Sequence, residues 1–148
     1  MIVLPAIAQH KLNVVTENWP PYNYAQENGE VAGIATKVVK EILEEAKLGY
    51  DIQVFPWARS YKLAQNQPNT LIYSIFRTPE REPYFHWFCP LIPDLNMHFF
   101  ALTESNINPI PTLDKTTELR IGVVREDFPY QVLKSNGLSE GKQLYLSS

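Results

Sequence analysis

Residues 71–81 read LIYSIFRTPER, and this stretch indicates the fold more directly than any other part of the sequence. Its first six residues form a continuous apolar run of strand length, which is typical of a strand covered on both faces of a parallel sheet. The remaining five form a polar turn that carries Arg77 and Arg81. Because open α/β sheets bind ligands beyond the carboxyl ends of their strands, the stretch predicts an α/β domain with two arginines at its ligand-facing edge.

Further strands and helices are predicted before this stretch. Residues 12–16 and 50–55 are β-prone runs, and each is followed by a loop that contains proline. Residues 57–65 predict a short helix. Gly49 follows the longest predicted helix, which is described below, and stands where a helix often ends in glycine. Strands that alternate with helices imply βαβ units and a mainly parallel sheet. The longest helix is predicted from apolar residues at helical spacing, which are Ile34, Val38, Val39, Ile42, Leu43 and Ala46.

The second half of the chain repeats this alternation after a segment rich in proline. Residues 95–102 predict one more strand, and residues 104–112, which carry Pro109 and Pro111, predict a linker. Because the pattern restarts with a fresh strand beyond these prolines, the linker is the expected domain boundary. The elements predicted beyond it are a strand at 119–124, a helix at 128–135 and a strand at 143–146.

The composition excludes several classes of protein. The chain of 148 residues has a formal net charge of −3 and no basic block, so it lacks the electrostatic footprint of a nucleic-acid-binding protein. No apolar run approaches the roughly 20 residues that span a bilayer. The single cysteine, Cys89, excludes an intramolecular disulfide and is expected to be a buried, inert thiol. The three histidines have no metal-ligand spacing, and we expect neither a metal nor a cofactor.

The first residues of the chain have two interpretations. Residues 1–8 read MIVLPAIA, and their last three residues fit the small-x-small pattern of a signal-peptidase site. The positively charged start of a signal peptide is missing. We therefore predict that residues 1–9 are either a signal-peptide remnant, in which case the protein is exported, or a flexible start.

Three segments, in this order, resemble the family 3 extracellular solute-binding proteins, which have the type 2 periplasmic-binding fold. The first is TENWPPY at residues 16–22, directly after the first predicted strand. The second is Gly33, which opens the longest predicted helix. The third is RTPER at residues 77–81, followed by FHWFCPL at 85–91. The resemblance extends over about residues 12–146, although NQPNT at 66–70 replaces the Gly-Lys-x-Asp element that often precedes the third strand.

The resemblance implies two α/β lobes with a mainly parallel sheet and helices on both faces. Residues 10–103 are expected to form one complete lobe, residues 104–112 a crossing linker, and residues 113–148 a partial second lobe. Members of the family are typically much longer than this chain, so we expect a truncation in the second lobe. A partial lobe of this size buries little core, and self-association through it is a further expectation.

The resemblance also implies how a ligand is held. In the family, an arginine at the position of Arg81 clamps the α-carboxylate of the ligand, and a residue at the position of Thr78 often assists it. A guanidinium suits this role because its planar fork donates two parallel hydrogen bonds to a carboxylate. Arg77 competes for the role, and a surface Arg81 paired to Glu80 or Glu82 is the structural alternative. Removal of Arg81 from the unliganded protein is expected to leave its melting temperature nearly unchanged.

Four more residues are expected to line the site. Trp19 and Trp57 offer flat apolar faces that stack on a ring or clasp a methylene chain, although each could be an ordinary core aromatic. Arg59 lies in PWAR at residues 56–59, which resembles one branch of the family, and it is a third cationic candidate. The hydroxyl of Ser74 either reaches the ligand, as in relatives, or is satisfied inside the sheet.

The family implies a periplasmic component of an ABC-type transporter, which captures a small polar solute and presents it to a membrane permease. We expect a carboxylate-bearing solute such as an amino acid. Two alternatives are the extracellular ligand-sensing domain of a receptor and a cyclohexadienyl-dehydratase-like enzyme. Catalysis needs an acid or base poised in the cleft, and Glu17, Glu80 and His86 form no recognisable pair. We therefore predict binding without chemical change.

Overall fold

A computed structural model describes residues 11–93, 95–107, 112–116 and 118–147. The chain divides into two compact units, Met1–Leu91 and Ile92–Ser148. The predicted signal remnant at residues 1–9 and the two linker prolines, Pro109 and Pro111, lie outside the described residues.

The first unit is built around a three-stranded parallel sheet with the strand order β4-β1-β5. The central strand β1 pairs Val14 with Ile52 of β4 on one side and with Leu71 of β5 on the other. Val14 and Val15 of β1 are buried, as expected for a strand covered on both faces. The elements of this unit are β1 (Leu12–Thr16), β2 (Tyr24–Ala25), β3 (Val31–Ala32), α1 (Ile34–Glu45), β4 (Tyr50–Val54), α2 (Trp57–Asn66), β5 (Thr70–Ile72) and a 3-10 turn (Glu82–Tyr84).

The longest helix, α1, turns a different face to the core than its apolar pattern predicts. Ile34 and Ile42 are 60% and 55% exposed, whereas the small residues Ala35 and Thr36 are buried. The start of the helix explains the difference, because the backbone N–H of Ala35 donates to the carbonyl oxygen of Tyr22 at 2.9 Å and brings the small residues against that loop. The buried positions of α1 are Ala35, Thr36, Val39 and Leu43.

The predicted role of Gly49 at the end of α1 is wrong. The helix ends at Glu45, and Lys47 rather than a glycine adopts the left-handed backbone, with a φ of 56°. Gly49 instead precedes β4, where its carbonyl oxygen accepts a hydrogen bond from the N–H of Leu12 at 2.8 Å. It therefore joins the sheet rather than the helix.

The third strand, β5, is shorter than the predicted run 71–76, and it ends at Ile72. Ser74 has a φ of 58°, in the left-handed region, and such a backbone cannot continue a strand. The predicted strand at 95–102 is also wrong, since the described residues of that range contain no strand. Cys89 is exposed rather than buried, because it lies in an irregular stretch beside Phe88, which is itself 88% exposed.

The second unit contains the predicted strand–helix–strand. Strand β6 (Ile121–Val124) pairs in parallel with β7 (Leu144–Ser147), and α3 (Phe128–Ser135) connects them. Asp127 caps the helix, because its carboxylate accepts a hydrogen bond from the N–H of Phe128 at 2.6 Å. Two 3-10 turns, Thr103–Ser105 and Leu113–Thr116, precede β6. The core of this unit consists of Val123, Tyr130, Leu133, Leu138 and Leu144.

None of the helices in the described ranges has the length and apolarity that a membrane-crossing segment needs. Within the same ranges, no group of three or more His, Cys, Asp or Glu side chains is arranged to hold a metal ion.

Candidate functional site

Three loops of the first unit meet at the carboxyl end of β1, and Thr16 joins them. The carbonyl oxygen of Thr16 accepts from the N–H of Phe55 at 2.9 Å and from the hydroxyl of Ser60 at 2.8 Å. Its own hydroxyl donates to the carbonyl oxygen of Tyr73 at 3.4 Å. The segments that follow β1, β4 and β5 are therefore tied to one residue at one edge of the sheet, which is where an open α/β sheet binds ligands.

The loop after β1 is a tight turn that is closed by its own backbone. The N–H of Trp19 donates to the carbonyl oxygen of Asn23 at 2.6 Å, and the N–H of Tyr22 donates back to Trp19 at 2.9 Å. The Trp19 ring lies 4.8 Å from the Tyr22 ring and 6.5 Å from the Phe76 ring, measured between centroids. Trp19 is half-buried at this edge of the sheet.

Gly33 holds this loop against the start of α1. A Cβ atom at this position would lie 2.2 Å from the carbonyl oxygen of Tyr22 and 2.8 Å from the nitrogen of Asn23. The φ of Gly33 is 123°, which side chains other than glycine rarely adopt. The first N–H groups of the helix are satisfied by carbonyl oxygens of Pro21 and Tyr22. This geometry explains why the aromatic loop and the glycine-led helix occur together in the sequence.

Arg81 is fully buried at the same edge, with 0% of its surface exposed. Its Nη1 donates to the carbonyl oxygen of Phe76 at 3.0 Å. Its guanidinium carbon lies 5.0 Å from the ring centroid of Trp57 and 5.3 Å from that of Tyr61, within the range of a cation–π interaction. The alternative of a surface Arg81 paired to a neighbouring glutamate is therefore wrong. Thr78 lies in the same turn and is also buried, and its hydroxyl accepts from the N–H of Arg81 at 3.3 Å.

Trp57 is the first residue of α2, and its ring is already stacked within the protein. The ring of Tyr61, one turn along the helix, lies 5.7 Å away at an interplanar angle of 21°. Because Tyr61 covers one flat face and Arg81 also contacts the ring, the predicted stacking of Trp57 on a ligand has little free surface. Trp57 is 2% exposed, and its indole N–H is buried without a hydrogen-bond partner.

Arg77 occupies the outer side of the turn and forms an ion pair with Glu82. Its Nε and Nη2 donate to the two carboxylate oxygens of Glu82 at 2.6 and 2.5 Å. These hydrogen bonds raise the pKa of Arg77 and hold the pKa of Glu82 below its usual value. Both side chains are about half exposed. The fork that would bind a ligand carboxylate is therefore already filled by a carboxylate of the protein.

The remaining predicted residues differ in exposure. Arg59 is exposed, and its guanidinium carbon lies 4.0 Å from the ring centroid of Phe55. Ser74 is half-buried, and its hydroxyl is enclosed without a hydrogen-bond partner. The edge thus brings together Trp57, Thr78 and Arg81, joins Trp19 to them through Phe76, and leaves Arg59 and Arg77 on the outside.

Two residues of this edge were not predicted from the sequence. Tyr61 lies four residues after Trp57, and this helical spacing could have indicated that the two rings stack. Asn23 is fully buried, and its amide nitrogen donates to the carbonyl oxygen of Glu17 at 2.8 Å. No sequence pattern distinguishes Asn23 from an ordinary turn residue, because its burial depends on how Gly33 packs against the loop.

Comparisons with known proteins agree with this architecture. A family model described as bacterial extracellular solute-binding proteins, family 3, matches residues 12–136. No curated protein matches the sequence. Among solved structures, a histidine kinase sensor domain with similarity to periplasmic binding proteins aligns with a TM-score of 0.76 and 19% identity, covering 94% of this chain and 60% of that chain.

Two binding proteins align in the same way. An ancestral arginine-binding protein bound to glutamine gives a TM-score of 0.68 and 19% identity, covering 93% of this chain and 60% of that chain. Holo ArgBP from T. maritima gives a TM-score of 0.70 and 14% identity, covering 94% of this chain and 60% of that chain. These structures confirm the predicted α/β, periplasmic-binding-protein-like fold class. The chain spans about 60% of the length of each of these proteins.

Proposed function

The chain belongs to the bacterial extracellular solute-binding proteins of family 3, and on that premise we propose that it binds a small carboxylate-bearing solute, such as an amino acid, without chemical change. The observation that carries the proposal is the position of Arg81. A guanidinium lies at the carboxyl edge of a parallel sheet, against the rings of Trp57 and Tyr61. A cation in such an enclosed place attracts an anion far more strongly than one in water.

Arg81 is the proposed anchor for the carboxylate, and Thr78 positions it. Arg81 is completely buried, so a solute reaches it only after a motion opens this edge, as hinge motions do in two-lobed binding proteins. Trp19 is the proposed aromatic wall, because this aromatic residue is only half-buried at the edge. Arg59 and Arg77 are proposed to act at the rim, where they attract an anionic solute rather than hold it.

The finer role that we propose is that of the periplasmic component of an ABC-type transporter, with a membrane permease as its partner. Family membership supports an extracellular or periplasmic location. The alternative of a ligand-sensing domain in a receptor is favoured by the similarity to a histidine kinase sensor domain. Both roles use the same solute site, so the binding experiment applies to either.

The test is a thermal-shift titration of the chain with the standard amino acids and with the organic acids that lack their amino groups. A true ligand at a hundredfold excess over its Kd adds about 2.7 kcal/mol to the free energy of unfolding. In Arg81→Lys, which keeps the charge but loses the planar fork, we expect this stabilisation to fall strongly. If no compound stabilises the wild-type protein, the proposed function is wrong for this chain.

Arg81→Ala is the stronger change, and Arg120→Ala is its matched control. Arg120 also lies over a ring, 4.4 Å from the centroid of Tyr145, but on the second unit. Because Arg81 is buried and bonded, its removal is expected to lower the unliganded stability by about 2 kcal/mol or more, contrary to the expectation from sequence. If Arg81→Ala keeps the full ligand-induced shift in melting temperature, Arg81 is not part of the solute site.

A further inference from the structure

Among the side chains other than Arg81, three buried polar groups at the carboxyl edge of the sheet have no hydrogen-bond partner within the described residues. They are the indole N–H of Trp57, the hydroxyl of Ser74 and the amide oxygen of Asn23. Buried polar groups of native proteins are almost always satisfied, so each exception needs an explanation. A polar atom that is enclosed and unsatisfied has lost its hydrogen bonds to water and gained none in return, so several of them in one region are expensive to keep.

These groups stand on three different segments that are tied together by hydrogen bonds. Trp57 follows Phe55, whose N–H donates to the carbonyl oxygen of Thr16 at 2.9 Å. Ser74 follows Tyr73, whose carbonyl oxygen accepts from the hydroxyl of Thr16 at 3.4 Å. The third group is on Asn23, whose amide nitrogen donates to the carbonyl oxygen of Glu17 at 2.8 Å, and Glu17 directly follows Thr16. One group thus comes from the segment after each strand of the sheet.

The donor or acceptor character of these groups follows from their own chemistry and, for Asn23, from its neighbour. The indole N–H can only donate, and the serine hydroxyl can donate or accept. The amide of Asn23 could in principle be turned over, but its other end faces the carbonyl oxygen of Glu17, which accepts only. The nitrogen must therefore face Glu17, and the unsatisfied end of Asn23 is an acceptor.

The backbone at Ser74 gives a second, independent observation. Its φ of 58° places a residue other than glycine in the left-handed region. Such a conformation is strained for a residue with a side chain and is concentrated at ligand-binding and active sites. This backbone ends β5 after Ile72 and leaves the Ser74 hydroxyl enclosed at the edge rather than in the sheet ladder.

We infer that the indole N–H of Trp57, the hydroxyl of Ser74 and the amide oxygen of Asn23 are hydrogen-bonding groups of the solute site. This inference rests on the proposed function and names the polar groups, besides Arg81, that form hydrogen bonds with the solute. Trp57 contributes its N–H edge rather than its face, which Tyr61 covers at 5.7 Å. The solute must then carry an acceptor for Trp57 and a donor for Asn23, whereas Ser74 can pair with either kind of group.

The experiment compares ligand affinity in pairs of variants. Ser74→Ala and Trp57→Phe each delete one unsatisfied group. Their matched controls are Ser135→Ala and Trp87→Phe, which delete groups that already donate to carbonyl oxygens of Val132 at 2.9 Å and Glu82 at 3.4 Å. The probe is whichever standard amino acid stabilises the wild-type protein most. We expect its Kd to rise about tenfold in each deletion variant and to stay within about twofold in the controls.

A spectroscopic measurement covers the case in which Trp57→Phe folds poorly. The chain has three tryptophans, so ¹⁵N labelling of the indoles gives three N–H resonances. The resonance that is missing from Trp57→Phe is expected to shift most when the amino acid is added to the wild-type protein. The amine-free acid of the same carbon skeleton is expected to bind at least tenfold more weakly, because it offers no donor to Asn23.

The outcomes separate this inference from the proposed function. If no amino acid or organic acid binds the wild-type protein, both are wrong. If a solute binds but Ser74→Ala and Trp57→Phe match their controls, and the Trp57 resonance stays in place, the binding function stands and this assignment is overturned. In that case the enclosed groups are satisfied by buried water.

Discussion

The carboxyl edge of the first unit and the β6–α3–β7 region of the second treat buried polar side chains in opposite ways. In the second unit, the Tyr130 hydroxyl is bonded to Glu140 and to Lys134, and Gln143 accepts from the N–H of Ser139 at 3.1 Å. Across the described part of that unit, no buried side-chain polar atom lacks a partner. At the edge of the first unit, such atoms of Trp57, Ser74 and Asn23 are left unsatisfied.

The difference indicates which of the two regions is built for stability and which one fits the proposed binding role. A segment in which local pattern, packing and polar satisfaction agree is optimised for folding. The β6–α3–β7 region fits this description, and the sequence predicted its strand–helix–strand pattern well. The edge of the first unit departs from this rule at Ser74, Asn23 and Trp57, and departures of this kind are expected at functional sites.

The largest expected effect concerns the glycines of the two regions. Gly33→Ala should destabilise the first unit by about 3 kcal/mol or more, because its Cβ would stand 2.2 Å from a backbone oxygen at a positive φ. Gly122→Ala in β6 meets nothing within 4 Å and should change stability by less than about 1 kcal/mol. Chemical denaturation of both variants measures the difference, and equal effects would contradict the tight contact at Gly33.

A smaller effect separates a satisfied hydroxyl from an unsatisfied one. Tyr130→Phe removes a buried hydroxyl with two partners and should cost about 1 kcal/mol. Ser74→Ala removes one without a partner, which relieves its desolvation cost, and should raise the stability of the unliganded protein by about 1 kcal/mol. Urea unfolding of the two variants without ligand checks this, and a cost for Ser74→Ala as large as for Tyr130→Phe would show that the serine hydroxyl has a partner in the free protein.

The smallest effect is the pH response of the two exposed ion pairs. Arg77 lowers the pKa of Glu82, so this pair stabilises the fold above the unfolded pKa of the carboxyl group, near 4.5, and the gain is lost as the pH falls. A hydrogen bond to Tyr130 raises the pKa of Lys134. The charged Lys134 therefore stabilises the fold at neutral pH, and this stabilisation is lost only as the pH rises above the ordinary lysine value of 10.5.

Melting temperatures from pH 3 to pH 7 test the acidic side. Glu82→Gln should lie slightly below the wild type at pH 7, and the two curves should merge as the pH falls through the carboxyl range. Both side chains of the pair are about half exposed, so salt should reduce the gap. A gap that widens toward low pH would contradict the assigned ion pair.

The sequence by itself determined the local elements and the family resemblance. The patterns of β1, β4, α2, α3 and β6 predicted their ends to within two residues, because strand and helix periodicity is a property of neighbours along the chain. The segments 16–22, 33 and 77–81 were enough to indicate the family. The structure gives a physical reason for the first two, since a side chain at position 33 would collide with the backbone of the aromatic loop.

Only the tertiary structure decided which side chains are buried and which are left without partners. Arg77 and Arg81 lie four residues apart in one turn, yet the first pairs with Glu82 near the surface and the second is fully enclosed by rings from α2. The exposed Cys89, the rotated face of α1 and the early end of β5 have the same origin. Burial is the sum of contacts between residues far apart in the chain, and such contacts leave little trace in the local sequence pattern.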